Sequence, residues 1–276
     1  MSGITATDVV SGNDVAQILE ERTQHTRQFR RAYRDHDATG IDSGQFTFPE
    51  AQDRARGQMD EVAEEADYPR TTLEYDGIVA EYVKDGFEIL VTDETVSDST
   101  FDVIMDVTEE MGQAAETRLD NLAYTVIDNN NAGENIGGGS GDIDYEAIVD
   151  AWVALFDNEG RTGQAELYIS GNGFGSLAKD NNFTRASEAG DAVVMEGELT
   201  QAYGISVLPT NTGDLGNDEA FLVDTSLYGY ESRRWNRDVT TYREESKDAD
   251  VYKIRHRMDY VSMNDDLAVD ITGGTG

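Results

Sequence analysis

The chain has 276 residues, no cysteine, and a formal net charge of −35 from 56 acidic and 21 basic side chains. Without cysteine, disulfide-stapled scaffolds and Cys-ligated zinc or iron–sulfur centres are excluded. No run approaches the roughly 18 apolar residues of a membrane-spanning helix, and the opening MSGITATDVVSGND lacks the basic and apolar regions of a secretory leader. Low hydrophobicity with high charge favours disorder, but 13 Tyr, 9 Phe and 2 Trp in periodic segments predict a packed core. Length alone predicts about two domains.

Residues 1–13 are small and polar. Asn13 or Asp14 caps a predicted helix from Val15 to Arg34, with sparse apolar positions and a cationic end at Arg27, Arg30, Arg31 and Arg34 that suits the macrodipole. It reads as an arm that needs a neighbour to hold it. Residues 37–49, with Gly40, Gly44 and Pro49, read as loop, and a short charged helix is predicted from Pro49 to Ala66.

The stretch TTLEYDGIVAEYVKDGFEILVTDET alternates apolar and polar positions on both sides of Lys84-Asp85-Gly86. An Asp-Gly step between alternating arms predicts a hairpin turning there. A two-stranded ribbon is marginal alone, so this one is expected to lie on another surface.

Apolar residues then recur at three-to-four spacing from Phe101 to Ile127, with Ser97 or Ser99 as cap. Some 27 residues at about 1.5 Å each make a strut of roughly 40 Å. Residues 128–141, DNNNAGENIGGGSG, read as a flexible joint. Asp144 caps a second helix with Ile148, Trp152 and Leu155 or Phe156 on one face. Strands are predicted at Ala165–Ser170, Val193–Glu196, Ile205–Pro209, Ala220–Asp224, Arg233–Glu244, Val251–Val261 and Leu267–Ile271, with a short turn-helix around Leu177.

The acidity runs from end to end, and the only lysines are Lys84, Lys179, Lys247 and Lys253. Such a charge repels itself strongly in ordinary salt. At 1 M salt the Debye length is about 3 Å, so a protein adapted to brine is expected.

Few motifs carry chemistry. GNGFGS at Gly171–Ser176 has G-x-G-x-G spacing, not the dinucleotide fingerprint, and reads as a glycine-rich turn. Asp128–Gly133 starts like a calcium loop, but Gly139 stands where a bidentate Glu is required. Asp142, Asp144 and Glu146, the pair Glu109-Glu110 and the pair Asp265-Asp266 are the carboxylate clusters a hydrolase would use; on so acidic a chain they also read as caps and solvated charge. The histidines are His25, His36 and His256, and neither H-E-x-x-H nor G-x-S-x-G occurs. No catalytic, cofactor or metal residue is assigned. The basic groups Arg22, Arg27, Arg30, Arg31, Arg34, then Arg233, Arg234, Arg237, and Lys253, Arg255, Arg257 suit bidentate pairs between subunits, phosphate contact, or pairing with acidic neighbours such as Asp35, Glu231 and Asp238.

The order of arm, ribbon, long helix, α+β block and late long strands resembles the HK97-fold major capsid proteins of tailed viruses. LYISGNGFGSLAKD and GISVLPTNTG are similar to the family's axial domain. The basic alternating strand VYKIRHRMDYVS, leading into NDDLAVDIT, is similar to its closing segment. The resemblance covers nearly the whole chain. It implies an α+β HK97-like fold in which residues 1–45 form the N-terminal arm, 46–68 and 99–143 the peripheral domain with its spine helix, and 69–98 the extended E-loop. It further implies an axial domain at 144–228, peripheral long strands at 229–262, and an axial return at 263–276. Tyr82, Lys84, Asp85 and Phe87 near the E-loop turn then join the arginines Arg27, Arg30, Arg31, Arg34, Arg233, Arg234 and Arg237 as candidate contacts between subunits.

By the same resemblance the chain is expected to self-assemble into hexamers and pentamers around double-stranded DNA, without sequence-specific binding, cofactor or membrane. Portal and decoration proteins are its expected partners, assembly is expected in the host cytoplasm, and no long scaffolding segment is expected before the arm. Relatives that cross-link covalently make Lys84 and Asn264 a conceivable pair, although a lone lysine at a turn also reads as solvated charge. With the acidity, the resemblance points to a haloarchaeal virus. The alternatives are an encapsulin-type compartment and a halophilic hydrolase using a carboxylate pair.

Overall fold

The computed structural model describes residues 28–51, 75–99, 102–133, 136–138, 143–158, 164–179, 201–202, 204–210, 215–216 and 219–273. The predicted arm up to Arg27, the predicted helix beyond Ala51 and the predicted strand Val193–Glu196 lie outside these residues.

The described end of the predicted arm helix is not α-helical. Phe29–Ala32 makes one 3₁₀ turn and β1 (Tyr33–Asp37) follows, parallel to β10 (Gly229–Glu244) with Tyr33 opposite Gly229. The tyrosine decides this. Its ring packs 5.5 Å from Tyr228 and 5.0 Å from Tyr260, and its hydroxyl donates to the Ala123 carbonyl at 2.9 Å. A Cβ on Gly229 would sit 3.0 Å from that ring and 2.3 Å from the Val261 carbonyl, so only glycine lets the two strands close.

The predicted loop at 37–49 contains β2 (Gln45–Ala51), which pairs antiparallel with β3 (Tyr75–Glu81). This ribbon replaces the expected hairpin. There is no turn at Asp85-Gly86: β4 (Val83–Thr92) runs straight through it and pairs antiparallel along β11 (Ala249–Ser262), Asp85 opposite His256 and Gly86 opposite Arg255. A Cβ on Gly86 would lie 2.6 Å from the Ile254 carbonyl, so its glycine serves a close strand approach.

After the short helix α1 (Asp93–Asp98), capped by Thr92 accepting from the Thr95 amide, comes α2 (Val103–Asn129). Its cap is Asp102, which accepts from the Met105 amide at 3.1 Å, not Ser97 or Ser99. Ser99 instead follows α1, its hydroxyl bonded to the Thr95 carbonyl. Met111 and Ala115 pack with Val91, Tyr252 and Ile254 of the four-stranded sheet, ordered β1-β10-β11-β4. Leu119, Ala123 and Ile127, one to three turns beyond Ala115, enter the second and larger core. One 27-residue helix therefore bridges two cores, and each large buried side chain contributes about 2 kcal/mol.

The second core lies under a six-stranded sheet, ordered β5-β12-β9-β6-β8-β7. Its strands are β5 (Ile136–Gly138), β6 (Ala165–Ser170), β7 (Gln201–Ala202), β8 (Ile205–Thr210), β9 (Glu219–Asp224) and β12 (Ala268–Gly273). The central strands β6 and β9 are almost continuously buried, as expected where a sheet is covered on both faces. Helix α3 (Tyr145–Asp157), capped by Asp144 accepting from the Ala147 amide at 2.9 Å, buries Ala147, Ile148, Ala151 and Leu155 against this core. The expected joint is in part a strand, because β5 adds to the sheet edge parallel to β12. The expected glycine-rich turn GNGFGS is the start of helix α4 (Gly171–Lys179), with the Ser170 hydroxyl accepting from the Gly173 amide at 3.1 Å.

Candidate functional site

The densest polar construction joins the 3₁₀ turn, α2 and the long strands. Arg30 is 9% exposed. Its Nε and Nη2 donate to both oxygens of Glu231 at 2.9 and 2.8 Å, and its Nη1 donates to Glu116 at 2.5 Å. Glu116 is fully buried and also accepts from Arg237. The Tyr260 hydroxyl donates to Glu231 at 3.1 Å. One turn along α2, the Asp120 carboxylate accepts from the amides of Gln28 and Arg30 at 3.1 and 3.2 Å and so caps the 3₁₀ turn.

Burial opposes the Arg30 cation, but Tyr260, Glu231 and Glu116 outweigh it and hold its pKa above the ordinary arginine value. Burial, reinforced by Glu231, raises the Tyr260 phenol well above its usual range. Breaking one partner of such a buried network costs about 3–5 kcal/mol, because the remaining charge is stranded.

A second cluster roots the β2–β3 ribbon. The Phe48 ring stacks 5.0 Å from Tyr230, and the Arg34 guanidinium carbon stands 4.3 Å from the centroid of the Tyr230 ring. His36 lies 4.7 Å from Phe46 and 4.8 Å from Phe48. Its Nδ1 and the Tyr82 hydroxyl both bond the buried Ser232 hydroxyl at 2.8 Å. The Asp259 carboxylate accepts from the Glu81 amide at 2.8 Å, and burial raises its pKa. His256, on β11 opposite Asp85 of β4, is 3% exposed, and its Nε2 has no hydrogen-bond partner. Burial lowers its pKa; Asp85 opposes that shift, and Arg237, Arg30 and Arg118 add to it.

The sequence-predicted residues divide accordingly. Arg30, Arg237 and Tyr82 are engaged inside the chain. Arg233 pairs with Asp35 at 2.6 Å and lies 3.5 Å from Glu231. Arg31 is half-exposed and pairs with Glu166 at 3.0 Å. Arg34 and Arg234 are half-buried, each with a buried Nε lacking a hydrogen-bond partner. Lys84, Asp85 and Phe87 lie along β4 and not at a ribbon tip, with Lys84 and Phe87 exposed. Arg27 is outside the described residues.

The carboxylate clusters do not converge. Asp144 caps α3, Asp265 accepts from Ser262 at 2.6 Å, and the Asp266 amide donates to Asn264; Asp142 is outside the described residues. In the calcium-like run, the Asn130 and Asn131 amides donate to carbonyls at the end of α2. Among the described residues no three His, Asp or Glu side chains are grouped to hold a metal ion, and no helix is long and apolar enough to cross a membrane. Sequence reasoning missed Glu116, Asp120, Tyr260 and His36. Only the position of Glu116 and Asp120 one turn apart on the buried side of a strong helical pattern marked the first two.

A family model described as phage capsid protein matches residues 79–269, more than half of the chain. Among solved structures, the capsid of cyanophage P-SCSP1u is similar at a TM-score of 0.72 and 11% identity, covering 90% of this chain and 88% of that one. Mycobacterium phage Che8 gives a TM-score of 0.73 at 13% identity, covering 88% and 90%. The holo-SrpI encapsulin complex from Synechococcus elongatus gives 0.60 at 9% identity, covering 86% and 84%. No curated protein matches the chain. The fold is the mixed helix-and-sheet, HK97-like one.

Proposed function

This chain belongs to the phage capsid protein family, and from that premise we propose that it is the major capsid protein of a haloarchaeal tailed virus. It assembles as hexamers and pentamers into an icosahedral shell around double-stranded DNA, in the host cytoplasm, and joins portal or decoration proteins in the virion. Its role is structural and not catalytic. The observation that carries this reading is the family match, which runs through both sheets and the bridging helix.

In this reading the four-stranded sheet with α2 is the peripheral domain. The six-stranded sheet with α3 and α4 is the axial domain, and β12 returns the chain to it. The β2–β3 ribbon takes the E-loop's place, so that loop is shifted toward the N-terminus from 69–98 to the region around 45–81. Arg27, Arg31, Lys84, Phe87 and Arg234 remain candidates for contacts between subunits. The charge of −35 supports assembly in brine, where acidic surfaces approach without long-range repulsion.

Electron microscopy of the purified chain in molar salt tests the proposal: closed shells are expected, and a protein that stays monomeric with its virion partners present refutes it. The encapsulin-like compartment rests on the lower TM-score of 0.60. Cargo separates the two readings, DNA for a virus and protein for a compartment.

A further inference from the structure

Charged groups from four elements act on the buried His256, and its Nε2 is hydrogen-bonded to none of them. β4 contributes Asp85 on the facing rung, with one carboxylate oxygen 3.9 Å from Nε2. α2 contributes Arg118, which stands 3.6 Å from the other oxygen of Asp85. β10 contributes Arg237, from the register shift between Trp235 and Asp238, and the 3₁₀ turn contributes Arg30. Glu116 of α2 pairs with both Arg30 and Arg237, and Glu231 of β10 pairs with Arg30. Arg233 also reaches Glu231 and is matched by Asp35. While the imidazole is neutral, Arg30, Arg118 and Arg237 therefore balance Asp85, Glu116 and Glu231. A proton on His256 adds a cation that has no carboxylate of its own.

Asp85 is the group that can respond. It stands between two bases, at distances from both that exceed hydrogen-bond reach. Arg118 is half-exposed, so water solvates it when its pair with Asp85 opens. His256 is buried, so a charge on it turns to Asp85. We propose that His256 is a proton-operated switch on the seam between α2 and the long sheet. Protonation draws Asp85 away from Arg118, which fastens β4 to β11 and unties α2 from β4. Burial lowers the His256 pKa from the ordinary 6.5, Asp85 opposes that shift, and Arg237, Arg30 and Arg118 add to it. The neutral, tied form therefore prevails above 6.5, and stability is lost as pH falls below that value. The Asp270 carboxylate has the opposite sign and lies on β12 in the other sheet, so the two effects are separable by place. The tie is made on the one helix that enters both cores. The switch is a property of the fold and does not rest on the shell-forming reading.

The test uses the full-length chain in molar salt, free or assembled, between about pH 8 and pH 5, with each variant's fold checked by circular dichroism. Deuterium uptake at the imidazole Cε1 hydrogen, read by peptide mass spectrometry, gives the His256 midpoint. Arg118→Gln is expected to raise that midpoint and Asp85→Asn to lower it, each by about threefold or more in proton affinity. Backbone amide exchange, corrected for its own pH dependence, reads the seam. Residues 111–119 of α2 are expected to exchange about fivefold faster at about pH 5 than at about pH 8, while β4 stays protected. His256→Gln and Asp85→Asn leave α2 equally protected at both. Asp85 and Arg118 both reach solvent, so their variants keep the test decisive if His256→Gln folds poorly. A midpoint at or above 6.5, or one that either substitution leaves unmoved, overturns the proposal. So does α2 protection that is constant across the range. A loss of protection that persists in His256→Gln belongs to the carboxylates, and one centred on β4 reverses the direction of the exchange; each overturns it as well.

Discussion

Replacing Glu116 by glutamine preserves its shape and removes one charge from the buried network. Two guanidiniums, Arg30 and Arg237, then face an amide inside the protein, and Glu231 alone remains to balance Arg30. Because Glu116 is fully buried, water cannot replace what is lost. The expected loss is about 3–5 kcal/mol, a large share of the roughly 5–15 kcal/mol that holds a typical domain together. Urea unfolding at constant high salt measures it. Hydrogen exchange localises it, with residues 28–37 losing protection first, since the 3₁₀ turn and β1 depend on Arg30 and Asp120. The exposed pair between Arg243 and Asp93 is the control: its removal has a far smaller effect, confined to low salt. Combining Glu116→Gln with Arg237→Gln recovers part of the loss, because one stranded charge is removed. A loss below about 1 kcal/mol, or one that disappears as salt rises, refutes the network as a buried support.

Asp270 on β12 has a buried Oδ1 without a hydrogen-bond partner, and burial, with Glu219 and Asp128, raises its pKa from 3.8 to about 6. A raised carboxylate pKa favours the protonated folded state, so stability present below 3.8 is lost as pH rises toward about 6. Asp270→Asn is therefore expected to stabilise the protein by about 2 kcal/mol at pH 7 and to flatten that pH window in thermal unfolding; unchanged pH dependence contradicts it. Gly86→Ala forces a methyl to within 2.6 Å of the Ile254 carbonyl, so it is expected to destabilise β4 by about 1–3 kcal/mol in the same assay. Phe48→Ala removes the ring stacked on Tyr230 and costs about 3 kcal/mol. Limited proteolysis should then cut the chain near the ribbon while the long sheet stays intact; uniform digestion would contradict the ribbon's separate rooting.

The long helix was legible because its three-to-four spacing is a local signal, and its observed span Val103–Asn129 departs from the expected one by two residues at each end. The late strands were legible for the same reason, as was the Asp144 cap. The ribbon was not. Gly40, Gly44 and Pro49 made residues 37–49 read as loop, yet Pro49 sits opposite Gly77 in a two-stranded ribbon, where a missing amide donor is tolerated at an edge. Asp85-Gly86 carried a turn's signature, while the strand that keeps it straight lies about 170 residues further on, at Arg255 and His256. Local pattern cannot express such a pairing. Glu116 was hidden by composition: among 56 acidic residues, one buried carboxylate differs from a solvated one only by its place on the helix.

The shell-forming claim is tested most directly by imaging the purified full-length chain in molar salt and again after dialysis to low salt. Closed particles of uniform size in brine, lost or swollen as the salt is removed, are predicted. A chain that stays monomeric in molar salt, and still does so once its virion partners are added, would contradict the account.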